Sequence, residues 1–329
     1  GRKPFTAYRE VFPRFMSELG FQASPTIESV EFYADPEQRN LTSYIMEHHQ
    51  RGNHGNGLII AQMTDTFRMP ENFKAWIYLS LILQAEGIRY GVEHWRRNMH
   101  RVAGTLYWQL NDCWPVTSWS SIDYFGRWKA LHYASKRFFA PVLLSVEDGS
   151  DIMDIHISND YPHPWEGYLH WSLETISGEV IEAGDLEIIS APLSDESIFR
   201  FDFSQKVTPG NQRELVLVTQ LNQGAKPVSQ CVTSFVSWKH LGLVDSEIEY
   251  IMAIRNSEMV KLQLTAKSLA LFVELKLEGA PEIVFSDNYF NIPAGQSIEI
   301  TCPIPEGWTF DQVKEALKIY SLYNSYTSR

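Results

Sequence analysis

Between Glu71 and Asn98 apolar residues recur on one broad face at helical spacing, with Phe73, Trp76, Ile77, Leu79, Leu81, Ile82 and Leu83 carrying the stripe. The run is too long for a strand, and Pro70 stands at the favoured first helical position. After it comes Gly104-Thr-Leu-Tyr-Trp-Gln-Leu110, a short apolar run with Gly before it and Asn-Asp after it, which predicts a buried strand. The segment 128–139 is again helical in pattern, and Pro141 ends it. Strand, long helix, strand, helix is the grammar of α/β units. A complete (β/α)8 barrel needs about 200 to 250 residues, so the 140 residues before Pro141 predict only part of one.

Beyond Pro141 the period changes to two. Short alternating runs at 152–157, 168–174, 197–203, 214–219 and 232–237 are separated by Pro162, Gly178, Gly184, Pro209-Gly210 and Gly224. A second set lies at 248–254, 262–266, 271–277, 283–285 and 297–301, with Gly279, Pro281, Pro293 and Gly295 between. Turn residues at this spacing predict two antiparallel β-sandwiches of the immunoglobulin type. The expected organisation is a partial barrel over 1–140, a sandwich over 141–240 and a second sandwich over 241–329.

Charge removes several partners. Against 28 Lys and Arg stand 40 Asp and Glu, a formal charge of -12, which does not suit a surface that neutralises phosphates or anionic lipid. No apolar run approaches the roughly 18 to 20 residues that span a bilayer, so neither nucleic acid nor membrane is expected as a partner. The opening Gly1-Arg2-Lys3-Pro4 is followed by no secretory core and does not read as a natural start. Cys113, Cys231 and Cys302 are odd in number and far apart, which excludes a disulfide framework and a Cys-based zinc site and points to the cytoplasm.

P-loop, Rossmann glycine, nucleophile-elbow and His-Glu-x-x-His motifs are all lacking. His48, His49 and His54 are the nearest approach to a metal cluster, but their flanks, Gly52-Asn53 and Gly55-Asn56-Gly57, read as a flexible polar loop with solvated histidines. No metal and no cofactor are expected. Glu18 closes an apolar run and is followed by Leu19-Gly20. At the end of a barrel strand it would sit on the rim where such enzymes keep catalytic groups. Val11, Phe12, Phe15, Met16 and Leu19 also fit an amphipathic helix, and pattern alone favours that helix with Glu18 on its surface. A third constellation holds Trp108, Trp114, Trp119 and Trp128 among Gln109, Asn111, Asp112 and Asp123. Flat aromatic faces beside amides and carboxylates suit a pyranose, and the same tryptophans suit a core.

Two segments carry a resemblance: Arg14-Phe-Met-Ser-Glu-Leu-Gly-Phe-Gln-Ala-Ser-Pro25, and the longer, more specific Gly104-Thr-Leu-Tyr-Trp-Gln-Leu-Asn-Asp-Cys-Trp-Pro-Val-Thr-Ser-Trp-Ser-Ser-Ile-Asp-Tyr-Phe-Gly-Arg-Trp-Lys-Ala-Leu-His-Tyr133. Together they resemble glycoside hydrolase family 2, and within it the β-mannosidases, with weaker similarity running through both sandwich regions. The resemblance implies a retaining exo-β-mannosidase acting on terminal β-D-mannose without metal or cofactor. It implies a barrel followed by two immunoglobulin-like domains. Glu18 then matches the nucleophile at the end of barrel strand seven and Trp108 the aromatic wall of the −1 subsite, with Asn111, Asp112 and Trp114 on the same rim.

The family keeps its acid/base in an Asn-Glu pair, and this chain contains no such pair. The expectation is therefore the C-terminal part of a β-mannosidase, inactive by itself, whose partners are a β-mannoside substrate and the N-terminal half of the same enzyme. An open sheet edge and exposed apolar surface would favour association, including a homo-oligomer. The competing expectation is a non-catalytic carbohydrate-binding or scaffold protein that presents exposed Trp165, Trp171 or Trp308 from its sandwiches.

Overall fold

The computed structural model describes residues 3–149 and 151–327, so Gly1 and Arg2 of the opening segment lie outside the described residues. The first elements are β1 (Met16–Leu19), α1 (Ile27–Glu31), α2 (Tyr44–His48), α3 (Gly55–Thr66), α4 (Phe73–Arg96), β2 (Thr105–Tyr107) and α5 (Ala130–Phe138). Next come β3 (Val142–Gly149), β4 (Ile152–Asn159), β5 (Trp165–Thr175), β6 (Val180–Ser190), β7 (Ser194–Asp202), β8 (Leu215–Gln223) and β9 (Lys226–Ser234). The chain closes with β10 (Ile248–Asn256), β11 (Met259–Ala266), β12 (Ala270–Leu277), β13 (Phe290–Ile292), β14 (Ser297–Pro303), α6 (Phe310–Ala316) and β15 (Leu317–Tyr320). Two compact units result, one of Gly1–Leu19, Gly87–Tyr107 and Ser135–Leu243, the other of Gly20–Glu86, Trp108–Ala134 and Val244–Arg329. No helix among the described residues is long and apolar enough to cross a membrane.

In the first unit β1 and β2 pair in parallel, with Met16 opposite Thr105 and Leu19 opposite Tyr107. The helix that pattern favoured around Glu18 is thus a strand. Its backbone groups are taken by another segment: Met16 N donates to the Gly104 carbonyl at 2.9 Å, and Ala103 N to the Arg14 carbonyl at 2.8 Å. The expected burial of 104–110 fails in turn, since Leu106 and Leu110 are exposed. Successive side chains of a strand point to opposite faces, and in β2 Leu106 faces water while Thr105 and Tyr107 are half-buried.

The same unit holds an antiparallel sandwich. One sheet has the order β3-β4-β7 and the other β6-β5-β8-β9. Leu144, Ile155, Ile157, Leu169, Leu173, Leu217 and Leu221 fill the space between them. Strand β8 is buried on both faces, as a central strand should be, and its sequence Leu-Val-Leu-Val hardly alternates. Strands β3 and β6 escape a reading by runs: β6 lies at a sheet edge, and its Glu182, Asp185 and Glu187 mask the alternation. The tryptophans proposed to be exposed belong to this core and its neighbour. Trp165 is buried, Trp171 packs on Phe201 with centroids 4.6 Å apart, and Trp308 packs against the second sandwich.

The second unit contains that second sandwich, with sheets β10-β11-β14 and β13-β12-β15 around Val260, Leu262, Leu264, Val273, Leu275 and Ile300. The strand expected at 283–285 is irregular backbone, and β13 pairs with β12 instead. Asn288 explains the exchange: its Oδ1 accepts from Leu275 N at 2.8 Å while its Nδ2 donates to the Leu275 carbonyl at 2.9 Å. A side chain thus supplies a rung of the ladder, and Phe285 drops into the core.

Helix α4 begins three residues after the expected start at Pro70, because Asn72 caps it by accepting from Ala75 N at 2.9 Å. Every residue from Ala75 to Ala85 is buried, the signature of a helix covered on all sides. Ser80 there accepts from Ser24 N at 3.2 Å, and Gln84 Nε2 donates to the carbonyls of Phe21 and Ser120 at 2.8 and 3.2 Å, while Gln84 Oε1 and the Trp76 indole nitrogen are buried with no hydrogen-bond partner among the described residues.

Candidate active site

Glu18 occupies the penultimate position of β1, with its side chain exposed. The parallel register brings the C-terminal residues of the two strands, Leu19 and Tyr107, level with each other. At such an end the backbone turns away, and a carboxylate can meet a ligand without being buried in the sheet. Trp108 follows β2 directly and is 49% exposed; the peptide that joins it to Gln109 is cis.

The block after Trp108 is held in the second unit by a polar core beneath it. Asp112 is buried, and its Oδ2 accepts from Ser118 Oγ at 3.0 Å and Ser120 Oγ at 2.5 Å, while Oδ1 accepts from Gln109 Nε2 at 3.2 Å. Asp123 accepts from Thr26 and Ser29 hydroxyls and from the backbone N–H groups of Phe125 and Arg127. Buried carboxylates so fully hydrogen-bonded fix a loop's shape. Asn111 is exposed on the same loop, bridged to Ile122, and its carbonyl accepts from Gln109 Nε2 at 2.8 Å. Trp114 is half-buried beside His49, with centroids 4.9 Å apart.

Lys129, which no sequence signal singled out, is fully buried. Its ammonium lies 3.5 Å from the Ala23 carbonyl, and burial pushes it down to about 8 against the pull of Asp112 and Asp123. A lysine among Trp128, Ala130 and Leu131 looks like an ordinary surface residue at a helix start, so nothing in the pattern could mark it.

Gly20 is where this arrangement tolerates no side chain. A Cβ there would lie 2.9 Å from the Trp119 ring and 3.2 Å from the Trp108 carbonyl. Gly20→Ala is expected to cost about 1–3 kcal/mol as the Trp108 backbone or the Trp119 ring gives way. Chemical denaturation of the purified chain measures it, and an unchanged midpoint would mean that the ring moves freely.

The histidine segment matches expectation at His48 and His54, which are exposed, and differs at His49 and at its glycine flank. Gly55-Asn56-Gly57 is the first turn of α3, and Gln50 ties the approach by accepting from Gln22 Nε2 at 2.8 Å and donating to Asn56 Oδ1 at 2.7 Å. His49 stacks on Tyr33 at 3.9 Å, and its Nδ1 donates to the Pro115 carbonyl at 2.6 Å. It is therefore a packing residue and not a solvated one. Among the described residues no group of three His, Cys, Asp or Glu is placed to hold a metal ion.

A family profile for a mannosidase Ig/CBM-like domain covers residues 151–240, and one for an Ig-fold domain of mannosidases covers residues 243–325. The β-mannosidase of the goat, Capra hircus, is 29% identical over 309 residues, 84% of this chain and 34% of that protein. β-Mannosidase A of Aspergillus oryzae is 26% identical over 356 residues, 95% of this chain and 38% of that protein. The crystal structure of a β-D-mannosidase from Dictyoglomus thermophilum matches with a TM-score of 0.89 at 28% identity, covering 97% of this chain and 38% of that one. An exo-chitosanase of Amycolatopsis orientalis shares the fold, with a TM-score of 0.76 at 13% identity. The chain thus spans little more than a third of the length of the curated relatives it matches.

Proposed function

The chain belongs to the β-mannosidases of glycoside hydrolase family 2, of which it is a C-terminal part, and from that premise we propose that it carries the nucleophile of a retaining exo-β-mannosidase. The observation that supports this most is the position of Glu18: an exposed carboxylate one residue from the end of β1, on a strand whose end is level with that of β2. In this reading β1 and β2 are the last two strands of a (β/α)8 barrel over 1–140, and the sandwiches are immunoglobulin-like domains over 141–240 and 241–329.

Retention needs two carboxyl groups about 5 to 5.5 Å apart. Glu18 attacks the anomeric carbon of a terminal β-D-mannose and forms a glycosyl-enzyme ester while the aglycone leaves with a proton. That proton comes from a second glutamate. The family keeps it in an Asn-Glu pair, and no such pair occurs in this chain. The acid/base therefore belongs to another part of the enzyme, which later draws a proton from water as that water attacks the ester. Trp108 forms the wall against which the pyranose packs, and Asn111 reads a hydroxyl. Asp112, turned toward Ser118 and Ser120, holds the loop on which Asn111 and Trp114 lie. Neither metal nor cofactor takes part.

Nitrophenyl β-D-mannoside tests the division of labour. This chain alone is expected to hydrolyse it no faster than buffer, and the whole enzyme to turn it over, since nucleophile and acid act only when held together. Turnover by the isolated chain that disappears in Glu18→Ala would mean that the acid lies within these 329 residues.

A further inference from the structure

Among the described residues, one strand of the second sandwich has no strand paired on its outer side. β10 is the outer member of β10-β11-β14, nine residues long, and its sequence Ile-Glu-Tyr-Ile-Met-Ala-Ile-Arg-Asn holds no Pro, Lys or Gly to blunt the edge. Register with β11 sorts its side chains. Tyr250, Met252 and Ile254 stand opposite Leu264, Leu262 and Val260 on the core face, and Glu249 and Ile251 opposite Thr265 and Gln263 on the outer face. The core of the sandwich does not reach the edge: Tyr250 is 38% exposed and Ile254 59%, while Ile251 on the outer face is 70% exposed. Unpaired N–H and C=O groups therefore run beside an uncovered apolar row.

We infer that β10 pairs with β10 of a second copy of this chain, antiparallel and centred on Met252, joining two three-stranded sheets into one of six. The sequence is complementary to itself in that register. Met252 meets the partner's Met252 at the two-fold axis, and Tyr250 meets the partner's Ile254 on the core face. Ile251 meets the partner's Ala253 on the outer face. Glu249 meets the partner's Arg255, and the symmetry makes that opposite-charge pair twice. Arg255 falls at the shift between Ile254 and Asn256 and is left out of the β11 ladder, and Glu249 lies no nearer than 3.9 Å to Lys267. A shift of the centre to Ala253 sets neither charge opposite its complement, and a shift to Ile251 sets Arg255 opposite only Glu247, which precedes the strand and already pairs with Lys267 Nζ at 2.5 Å. An isologous interface of this kind closes after two copies and does not propagate.

Sedimentation equilibrium of this chain is expected to give twice 37.9 kDa. Glu249→Arg alone and Arg255→Glu alone, which each set like charges across both pairs, should weaken the dimer by roughly tenfold. The double variant Glu249→Arg/Arg255→Glu should restore it. Met252→Pro, at an edge where a proline is tolerated by the fold, should give monomer with an unchanged circular dichroism spectrum. A wild-type monomer at the highest attainable concentration would overturn the inference and leave the edge to another occupant. A dimer indifferent to Met252→Pro and to both charge reversals would overturn it equally, because it would then form through another face. The result does not depend on the activity proposed above.

Discussion

Replacing Glu18 by Ala in the whole enzyme is expected to lower kcat on nitrophenyl β-D-mannoside by on the order of 10^4-fold or more, the loss typical when a covalent nucleophile is removed. Stability should scarcely change. Glu18 is exposed, and a surface substitution away from caps and buried networks stays within about 0.5 kcal/mol. A large kinetic loss with an unchanged denaturation midpoint separates a group that reacts from one that supports the fold. Glu18→Gln tests the same point with the shape kept, since an amide cannot form the ester. Trp108→Ala should behave differently, lowering kcat/KM by a smaller factor, because it removes packing against the sugar and leaves the bond-forming groups in place. Should Glu18→Ala retain a tenth of the activity, the nucleophile is another carboxylate.

Lys129 carries the second large effect. Its ordinary value is 10.5, and in the fold it is pushed down to about 8 by burial. Below pH 8 the group is protonated in both the folded and unfolded chain, and the fold bears the cost of a buried ammonium. Between pH 8 and 10.5 the folded chain has released the proton that the unfolded chain still holds, so stability rises with pH across that window. The contribution is about 3 kcal/mol if measured to its upper end. Other groups oppose it there. Burial raises the Cys302 thiol to about 12 from 9.0, so its contribution falls as pH passes 9, and buried Tyr78 and Tyr289, both raised, act the same way above pH 10. The comparison with Lys129→Met isolates the lysine. Asp112 and Asp123 keep their hydroxyl, amide and backbone donors without it, and the Ala23 carbonyl keeps Ser118 N at 3.2 Å. The variant is therefore expected to be at least as stable as the parent at pH 7 and to lack the rise between pH 8 and 9. Urea titrations at pH 7, 8 and 9 measure both. A loss of more than about 2 kcal/mol at pH 7 would show that the ammonium is a needed partner of the carboxylates.

Much of the fold is legible in the sequence where one period dominates. The long stripe of α4 and the turn-separated runs after Pro141 announce a helix and two sandwiches, and both are present. Legibility fails where a tertiary partner decides between two acceptable local forms. Residues 11–19 satisfy a helical stripe, yet 16–19 form a strand because the Gly104 carbonyl and β2 accept and extend its ladder. The run 283–285 is apolar enough for a strand, but Asn288 takes its place beside Leu275, an exchange that no local propensity encodes. Edge strand β6 is hidden by its own charges.

At the candidate site the exposed residues were readable as residue types and the buried ones were not. Glu18 and Trp108 stand out because a carboxylate and an indole end short runs. Asp112 reads as a sugar ligand by type, whereas its carboxylate is spent on Ser118, Ser120 and Gln109. Lys129 and Gln84 are fully buried, and only the folded chain brings them to Ala23, Phe21 and Ser120.

The most direct measurement is to trap the glycosyl-enzyme. Whole enzyme treated with a 2-fluoro β-mannoside bearing a good leaving group, then digested and mapped by mass spectrometry, is expected to carry one fluoromannosyl ester, on Glu18. A label on any other carboxylate, or turnover without a trapped ester, would contradict the assignment of the nucleophile to this chain.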